Sequence, residues 1–213
     1  MTKTLYMILG VLFAISFPFV LFIVEPHFPG FLKYGYLEKF IIWIWLLLVY
    51  IYATKIEKQP FLLWADKKRS FRFYIISIIS VLGLAFLAGE SQQLLPKLGF
   101  KTEPSQVLNG MASYLHTHPL LLVLTCITAG IVEELLFRGY LIPRLNKLLK
   151  NRYLAVVISA FIFGAGHIGY GTWMNMIVPF LIGLIFGGYY QKYKNLKVLI
   201  FCHFLIDLLS MLS

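Results

Sequence analysis

Long apolar runs separated by short polar segments make up most of this chain. A helix that crosses a bilayer needs roughly 20 apolar residues, and most of the runs approach that length. The pattern predicts an all-α fold, a polytopic transmembrane bundle of about seven spans in which the fifth and the seventh are short. The spans are Leu5 to Val24, Phe40 to Ala53 (from Leu37 if the helix starts earlier), Phe73 to Ala88, Leu120 to Ile142 ending at Pro143, Leu154 to His167, Trp173 to Tyr190 and Val198 to Leu212.

The first run also has features of a signal peptide, since Lys3 gives it a basic start and Ser16 ends a small-residue stretch. It is long for a signal sequence and has no clear cleavage site, which favours a retained helix. A more polar stretch, Gly89 to Pro119, separates the third and fourth spans. We expect one membrane domain, 1–213, with N-terminal helices and an outer loop in 1–119 and a catalytic core in 120–213.

The composition supports the membrane assignment. Hydrophobic residues make up 60% of the 213 positions and charged residues only 13%, whereas soluble domains carry about 25% charged residues. The net charge of +10 is spread in short clusters between apolar runs, which is typical of membrane topology and not of a nucleic-acid-binding patch. Cys126 and Cys202 lie inside apolar runs, and we expect them to be buried small hydrophobic residues.

The positions of Lys and Arg predict the orientation of the chain. Positive residues concentrate in cytoplasmic loops, and fifteen of the nineteen cations fall on one side of the predicted membrane. This asymmetry predicts a multi-pass protein of the cell membrane with a cytoplasmic N-terminus and an outside C-terminus. The four cations on the other side are Lys33, Lys39, Lys97 and Lys101.

The fourth span contains three charged residues, which are costly inside an apolar helix. Glu134 and Arg138 are four residues apart, so they share a helix face in the orientation that favours an ion pair. Glu133 points about 100° away, which leaves its carboxylate free for another role. The alternative is a charged helix end at the cytoplasmic surface, with Arg138 snorkelling to water.

Two later spans contain histidines. His167 follows the small residues Gly164, Ala165 and Gly166, which allow a backbone or a substrate to approach closely. His203 and Asp207 lie four residues apart on one face of the seventh span, where the carboxyl group is able to orient the imidazole. The alternatives are an interface histidine and a polar clasp between helices. Because these groups all lie within spans, a catalytic or ion-handling centre is favoured.

The ordered motifs Glu133-Glu134-x-x-x-Arg138, Phe163-x-x-x-His167 and His203-x-x-x-Asp207 resemble those of the CPBP intramembrane proteases, the CAAX-protease and bacteriocin-processing group. The resemblance covers about 120–213, and 1–119 carries none of it. It implies an endopeptidase acting on a membrane-associated peptide or protein.

The resemblance also implies a role for each site residue. Glu133 and His167 would activate the attacking water, while His203 and Asp207 would stabilise the oxyanion. Glu134 and Arg138 would shape the site, with Glu134 assisting the base. An ionised Asp207 repels an oxyanion, so it has to be protonated or act by orienting His203.

The family has been described both as metalloproteases and as metal-independent glutamate proteases. Glu133, His167 and His203 would form a sufficient ligand set for zinc, but the chain has no HExxH motif. We expect water activation without a required metal, with zinc as the alternative. A non-catalytic bacteriocin-immunity or scaffold protein and a proton-coupled transporter are the alternative functions.

Further expectations concern the geometry. Gly183 and Gly187 are expected to allow a close helix crossing, and Asn175 is expected to face the cavity. In upright helices His167 and His203 would differ in depth by roughly 10 Å, an offset that tilt or staggered helices would remove. We expect the site between the fourth, fifth and seventh spans, in a cavity that opens to the cytoplasm.

Overall fold

The computed structural model describes residues 2–16, 35–94, 97, 99 and 104–212, and over these ranges the chain is helical without strands. The predicted all-α membrane bundle is confirmed. The second half of the first predicted span lies outside the described residues, as do Lys33 and Lys101. The helices are α1 (Lys3–Ile15), α2 (Tyr36–Ile56), α3 (Phe71–Leu94), α4 (Gln106–His116), α5 (Pro119–Leu149), α6 (Arg152–Ala165), α7 (Met174–Tyr193) and α8 (Leu196–Leu212).

Among the described residues, five helices are long and apolar enough to cross a membrane. Four of them are α2, α3, α5 and α7. The fifth is α6, counted together with the short 3-10 helix Ile168–Tyr170 that follows it. The described part of the first predicted span, α1, has 13 residues, and the seventh, α8, has 17. Each of the seven predicted segments therefore overlaps a helix within the described residues, and α1 and α8 are shorter than a typical span.

The helix α5 does not end at Pro143, where the apolar run ends. Its central part, Glu134–Leu141, is π-helical, and an α-helical turn resumes at Ile142 with Pro143 in its first turn. Proline lacks an N–H and its ring clashes with the carbonyl four residues earlier. The wider π-helical turn removes that conflict, so the helix continues to Leu149. Short π-helical segments occur frequently at functional sites.

The helix α5 packs against α2, α4, α6 and α8, and α6 and α7 form the most extensive helix pair. Glycines allow the close crossings. A Cβ on Gly183 would lie 3.0 Å from the Ala160 Cα, and one on Gly187 would lie 2.8 Å from a Val156 methyl group. The predicted packing role of this glycine pair is confirmed. Small residues are common where membrane helices approach closely.

The residues that link α2 to α3 fold back against the bundle. Arg144 of α5 is fully buried, and its Nε donates to both oxygens of the buried Glu57 carboxylate at 3.0 and 2.9 Å. Asp66 Oδ1 accepts a hydrogen bond from the Leu196 N–H and so caps α8. Hence this linker binds α5 and α8, two of the helices that carry the motifs of the candidate site. Cys126 and Cys202 are free and buried, as predicted.

Candidate active site

A buried ion pair and a histidine form the rigid base of the site. Arg138 Nη1 donates to Glu134 Oε1 at 2.7 Å, which is the pair that the spacing of four residues predicts. His203 Nδ1 donates to the same oxygen at 2.7 Å. Since Glu134 and Arg138 are at most 1% exposed, the carboxylate fixes one face of the imidazole from inside the bundle. Glu134 therefore contacts His203 directly.

The other nitrogen of His203 faces two further carboxylates. Asp207 Oδ2 lies 3.6 Å from His203 Nε2, and Glu133 Oε2 lies 3.8 Å from it. Both distances exceed a hydrogen bond, so these oxygens surround Nε2 without being bound to it. Glu133 Oε2 is itself buried and has no hydrogen-bond partner among the described residues. A buried acceptor without a partner is costly unless it meets water or a substrate group.

His167 lies just beyond the end of α6. Its Nδ1 donates to the Phe163 carbonyl at 2.8 Å, so the ring folds back by one helical turn toward Phe163. A carbonyl only accepts hydrogen bonds, so the hydrogen is on Nδ1, and in the neutral ring Nε2 is left as the acceptor. The backbone of Gly164 sits against α7, where an added Cβ would lie 2.6 Å from the Met176 carbonyl oxygen.

The ring of Phe163 joins the three motifs. It lies edge-on to the His167 ring at 4.9 Å and to the His203 ring at 6.1 Å between centroids. The Arg138 guanidinium lies over it at 4.5 Å, a distance at which a cation is attracted by the face of the ring. The structure therefore brings all six predicted site residues together around Phe163 and His203. His167 and His203 line the same cavity, so the difference in depth of roughly 10 Å expected for upright helices does not keep them apart.

A cavity of about 440 Å³ covers the exposed side of this cluster. Glu133, His167, His203 and Asp207 line it, and the predicted contribution of Asn175 is confirmed. The rest of the lining comes from the start of α2, the end of α3, helix α4, the part of α5 before Glu133, the turn after α6, the first half of α7 and the end of α8. These lining residues include Glu38, Lys39, Gln92, Leu108, Met111, Tyr170, Ser210 and Met211.

The expected opening of the cavity to the cytoplasm stays a prediction, and the positions of the exposed lining residues do not favour it. We take as its mouth the exposed lining residues Gln92, Gly169 and Ser210, which lie at the opposite end of the bundle from the clusters of Lys and Arg. The expectation rested on the depth of the glutamates and His203 along their own helices. The mouth, however, is formed by segments with no motif, and only their packing reveals it.

Lys39 and Glu38 are cavity residues that sequence reasoning missed. Lys39 is only 7% exposed, and its Nζ lies 2.9 Å from Glu38 Oε2. In the sequence Lys39 is indistinguishable from a loop cation that sets topology. Nearby, Trp43 Nε1 donates to Thr128 Oγ1 at 3.2 Å and holds α2 against α5. Residues before 119 therefore build one wall of the site, although they carry no motif.

The donor types at the site suit zinc, but their arrangement does not. Among the residues that the structure describes, no three His, Cys, Asp or Glu side chains are grouped to hold a metal ion. His203 Nδ1 is committed to Glu134, and its Nε2 lies 3.8 Å from Glu133. Two ligands of one tetrahedral zinc ion with bonds of about 2.0–2.2 Å lie about 3.4 Å apart, so this pair comes near that spacing, and it is the lack of a grouped third ligand among the described residues that speaks against a zinc site. We therefore derive no step that passes through a metal.

Comparison with known protein families gives one match. Residues 115–209 match the family model described as type II CAAX prenyl endopeptidase Rce1-like. This segment is Rce1-like. The resemblance predicted from the three motifs is thus confirmed, and the match covers nearly the whole predicted core and a little under half of the chain. No curated protein and no solved structure matches the chain.

The Rce1-like segment contains all six predicted site residues. It begins at 115, at the end of α4, and stops at 209, in the last turns of α8. Lys39 and Glu57 lie outside it, although one lines the cavity and the other binds Arg144 at the opposite end of α5. The family supports an intramembrane CAAX-type protease activity for this membrane protein.

Proposed function

We propose that this chain is an intramembrane endopeptidase that hydrolyses a peptide bond in a membrane-associated peptide or protein. The observation that carries the proposal is the unpartnered Glu133 Oε2, buried beside His203 and facing the same cavity as His167. A positioned carboxylate that is free of protein donors is suited to hold and deprotonate a water molecule. The Rce1-like match supports the same class of activity.

In the proposed reaction a water oxygen attacks the peptide carbonyl carbon while Glu133 takes the water proton. His167 holds the water through Nε2, because its Nδ1 is bound to the Phe163 carbonyl. The tetrahedral oxyanion then collapses, the C–N bond breaks, and the proton passes from Glu133 to the leaving amine. The products are a carboxylic acid and an amine, which exchange a proton to become a carboxylate and an ammonium ion, and no other reactant is required.

His203 faces the developing oxyanion in this proposal. Its Nδ1 donates to Glu134, so Nε2 carries a hydrogen only when the ring is an imidazolium. The carboxylates of Glu133, Glu134 and Asp207 are the counter-charges of that form. Asp207, at 3.6 Å, orients Nε2 and does not touch the oxyanion. A hydrogen-bond donor that is already positioned at the oxyanion typically lowers the activation free energy by about 2.7–4 kcal/mol.

The test is cleavage by the purified full chain in nanodiscs, with a library of membrane-associated peptides that includes lipidated ones. Glu133→Gln is expected to lower the rate by about 10²–10⁴-fold, because the amide cannot accept the water proton. The matched control is Glu90→Gln in α3, whose carboxylate bonds Gln93 and does not line the cavity. That variant should cleave as the wild type does.

Each variant is measured with and without a strong zinc chelator. We expect the same rates in both conditions, since the site is proposed to work without a required metal. Loss of wild-type cleavage with chelator and its rescue by zinc would assign the chemistry to a metal. Cleavage by Glu133→Gln at the wild-type rate would remove Glu133 as the base, whereas no cleavage by the wild type would favour the immunity, scaffold or transporter functions.

A further inference from the structure

A second groove lies on the outside of the bundle, far from the active site. It runs between α6 and α7 at the basic end and has a volume of about 560 Å³. Its floor is apolar, with Val156 and Val157 from α6 and Leu184 and Gly188 from α7. Arg152 and Lys192 lie at its end, one on each helix.

The groove exists because the two helices are held close along one side only. Gly183 and Gly187 press against Ala160 and Val156. Gly188, on the neighbouring face, is exposed, and a Cβ built on it would meet nothing within 4 Å. The absence of a side chain there leaves open space that neither helix fills. Since α6 and α7 are membrane spans, the medium that meets this space is lipid.

Both cations at the end of the groove are available to an anion. Arg152 and Lys192 are exposed. The guanidinium donates to the Tyr153 hydroxyl at 2.6 Å and lies over that ring, and the Lys192 ammonium lies over the Tyr193 ring. Among the residues that the structure describes, no carboxylate pairs with either cation. Tyr153 itself is 68% exposed, and exposed tyrosines favour the boundary between lipid and water.

The dimensions fit one lipid chain with its headgroup at the basic end. From Lys192 to Leu184 the groove extends about 12 Å along α7 at 1.5 Å per residue, which is most of the roughly 15 Å depth of one leaflet. Cations sit at the polar end of the groove and apolar residues line the part that lies inside the membrane. Basic pockets between membrane helices are able to bind anionic headgroups.

We propose that the groove between α6 and α7 is a binding site for one anionic phospholipid of the leaflet at the basic end. Arg152 and Lys192 bind the phosphate and anionic headgroup, and one acyl chain lies over Gly188 between Val157 and Leu184. The site differs from the general lipid surface because two cations on different helices converge on one apolar cleft. It is independent of the proposed protease activity.

The test compares phosphatidylglycerol with phosphatidylcholine of the same acyl chains. Lipids are added to the delipidated full chain in detergent, and bound lipid is counted by native mass spectrometry. The wild type is expected to retain one phosphatidylglycerol in preference to phosphatidylcholine. The double variant Arg152→Gln/Lys192→Gln is expected to bind phosphatidylglycerol at least about tenfold more weakly, because each cation near a lipid surface contributes roughly 1 kcal/mol, about fivefold.

A second variant tests the groove without changing the charge. Gly188→Leu places a helix-favouring side chain in the open space, where its Cβ meets nothing within 4 Å, so the protein should fold. It should lose the retained lipid although both cations remain. The matched control is Lys67→Gln/Lys68→Gln, two exposed cations of the α2–α3 linker outside the groove, which should bind as the wild type does.

Three results would overturn the proposal. The first is a wild type with no preference for phosphatidylglycerol. The second is a double variant that still retains it. The third is an equal loss in the linker control, since this would indicate a general effect of net charge and not a site.

Discussion

At the scale of single residues, the two neighbouring glutamates of α5 have different environments and therefore different expected roles. Glu134 is fully buried between Arg138 and His203, and both of them donate to one of its oxygens. Oε2 of each carboxylate is buried without a hydrogen-bond partner among the described residues, but only Glu133 is partly exposed and lines the cavity. One carboxylate is used by the protein itself, and the other is available to water.

This contrast predicts that the two glutamine substitutions separate stability from activity. Glu134→Gln leaves the buried Arg138 guanidinium without its counter-charge, which typically costs about 3–5 kcal/mol of stability. Glu133→Gln removes only a partly exposed carboxylate that lies 3.8 Å from His203 Nε2, so it should change the free energy of unfolding much less. Denaturation of both variants in detergent micelles, measured beside cleavage, checks this. Equal destabilisation by the two substitutions would contradict the division of roles.

The residue scale also separates what spacing predicts from what only folding reveals. The Glu134–Arg138 pair follows from positions four apart on a helix. The bond between Glu134 and His203 joins residues 69 positions apart, and no local pattern contains it. Lys39 shows a different difficulty. It lines the cavity, but a lysine beside a predicted span has the same sequence pattern whether it lines a cavity or lies in a loop.

At the scale of helices, the position of His167 depends on how closely α6 approaches α7. Gly164 lies three residues before His167, and a Cβ there would lie 2.6 Å from the Met176 carbonyl oxygen. Because that contact is with backbone, the helices cannot relieve it by a rotamer change. Gly164→Ala is thus expected to move α6 away from α7 and to shift His167 relative to Glu133.

We expect Gly164→Ala to cost about 1–3 kcal/mol of stability and to lower the cleavage rate further than the change in folded fraction explains. The matched control is Gly83→Ala in α3, where a Cβ meets nothing within 4 Å. In a helix interior this control should be neutral or stabilising by up to about 1 kcal/mol. Thermal unfolding and cleavage are measured for both proteins, and wild-type behaviour of Gly164→Ala would refute the argument.

The helices themselves were largely predictable, because run length and apolar content indicate a span without any knowledge of packing. The π-helical segment Glu134–Leu141 was not predictable in this way. The sequence shows a proline that ordinarily ends a helix, and the structure continues through it. Whether a helix breaks or widens at such a point depends on contacts from outside it, here Leu62 against Gly139 and Glu57 against Arg144.

At the scale of the whole molecule, the distribution of charge and the position of the cavity together bear on the side of the membrane from which the active site is reached. The basic clusters predict which end of the bundle faces the cytoplasm. Arg138, Arg144 and Lys39 are buried and take part in pairs, so they do not act as loop charges. The asymmetry of the remaining cations is unchanged, and the cavity opens at the end that is poor in them.

We therefore propose that the active site is reached from the outer face of the cell membrane, and labelling of single cysteines in intact cells tests this. Gln92→Cys at the mouth of the cavity and Lys97→Cys beyond α3 should react with a membrane-impermeant thiol reagent. Lys67→Cys in the basic linker should react only after the cells are opened. The native Cys126 and Cys202 are 0% exposed and should contribute little background.

The opposite labelling pattern would place the cavity on the cytoplasmic side and would show that the charge asymmetry does not set the orientation of this chain. With the expected pattern, a substrate has to present its cleavage site on the outer side, either after crossing the membrane or from a segment anchored there. A peptide confined to the cytoplasm would then be cut only in opened membranes. Cleavage of one substrate added to intact and to opened cells distinguishes the two arrangements independently of the labels.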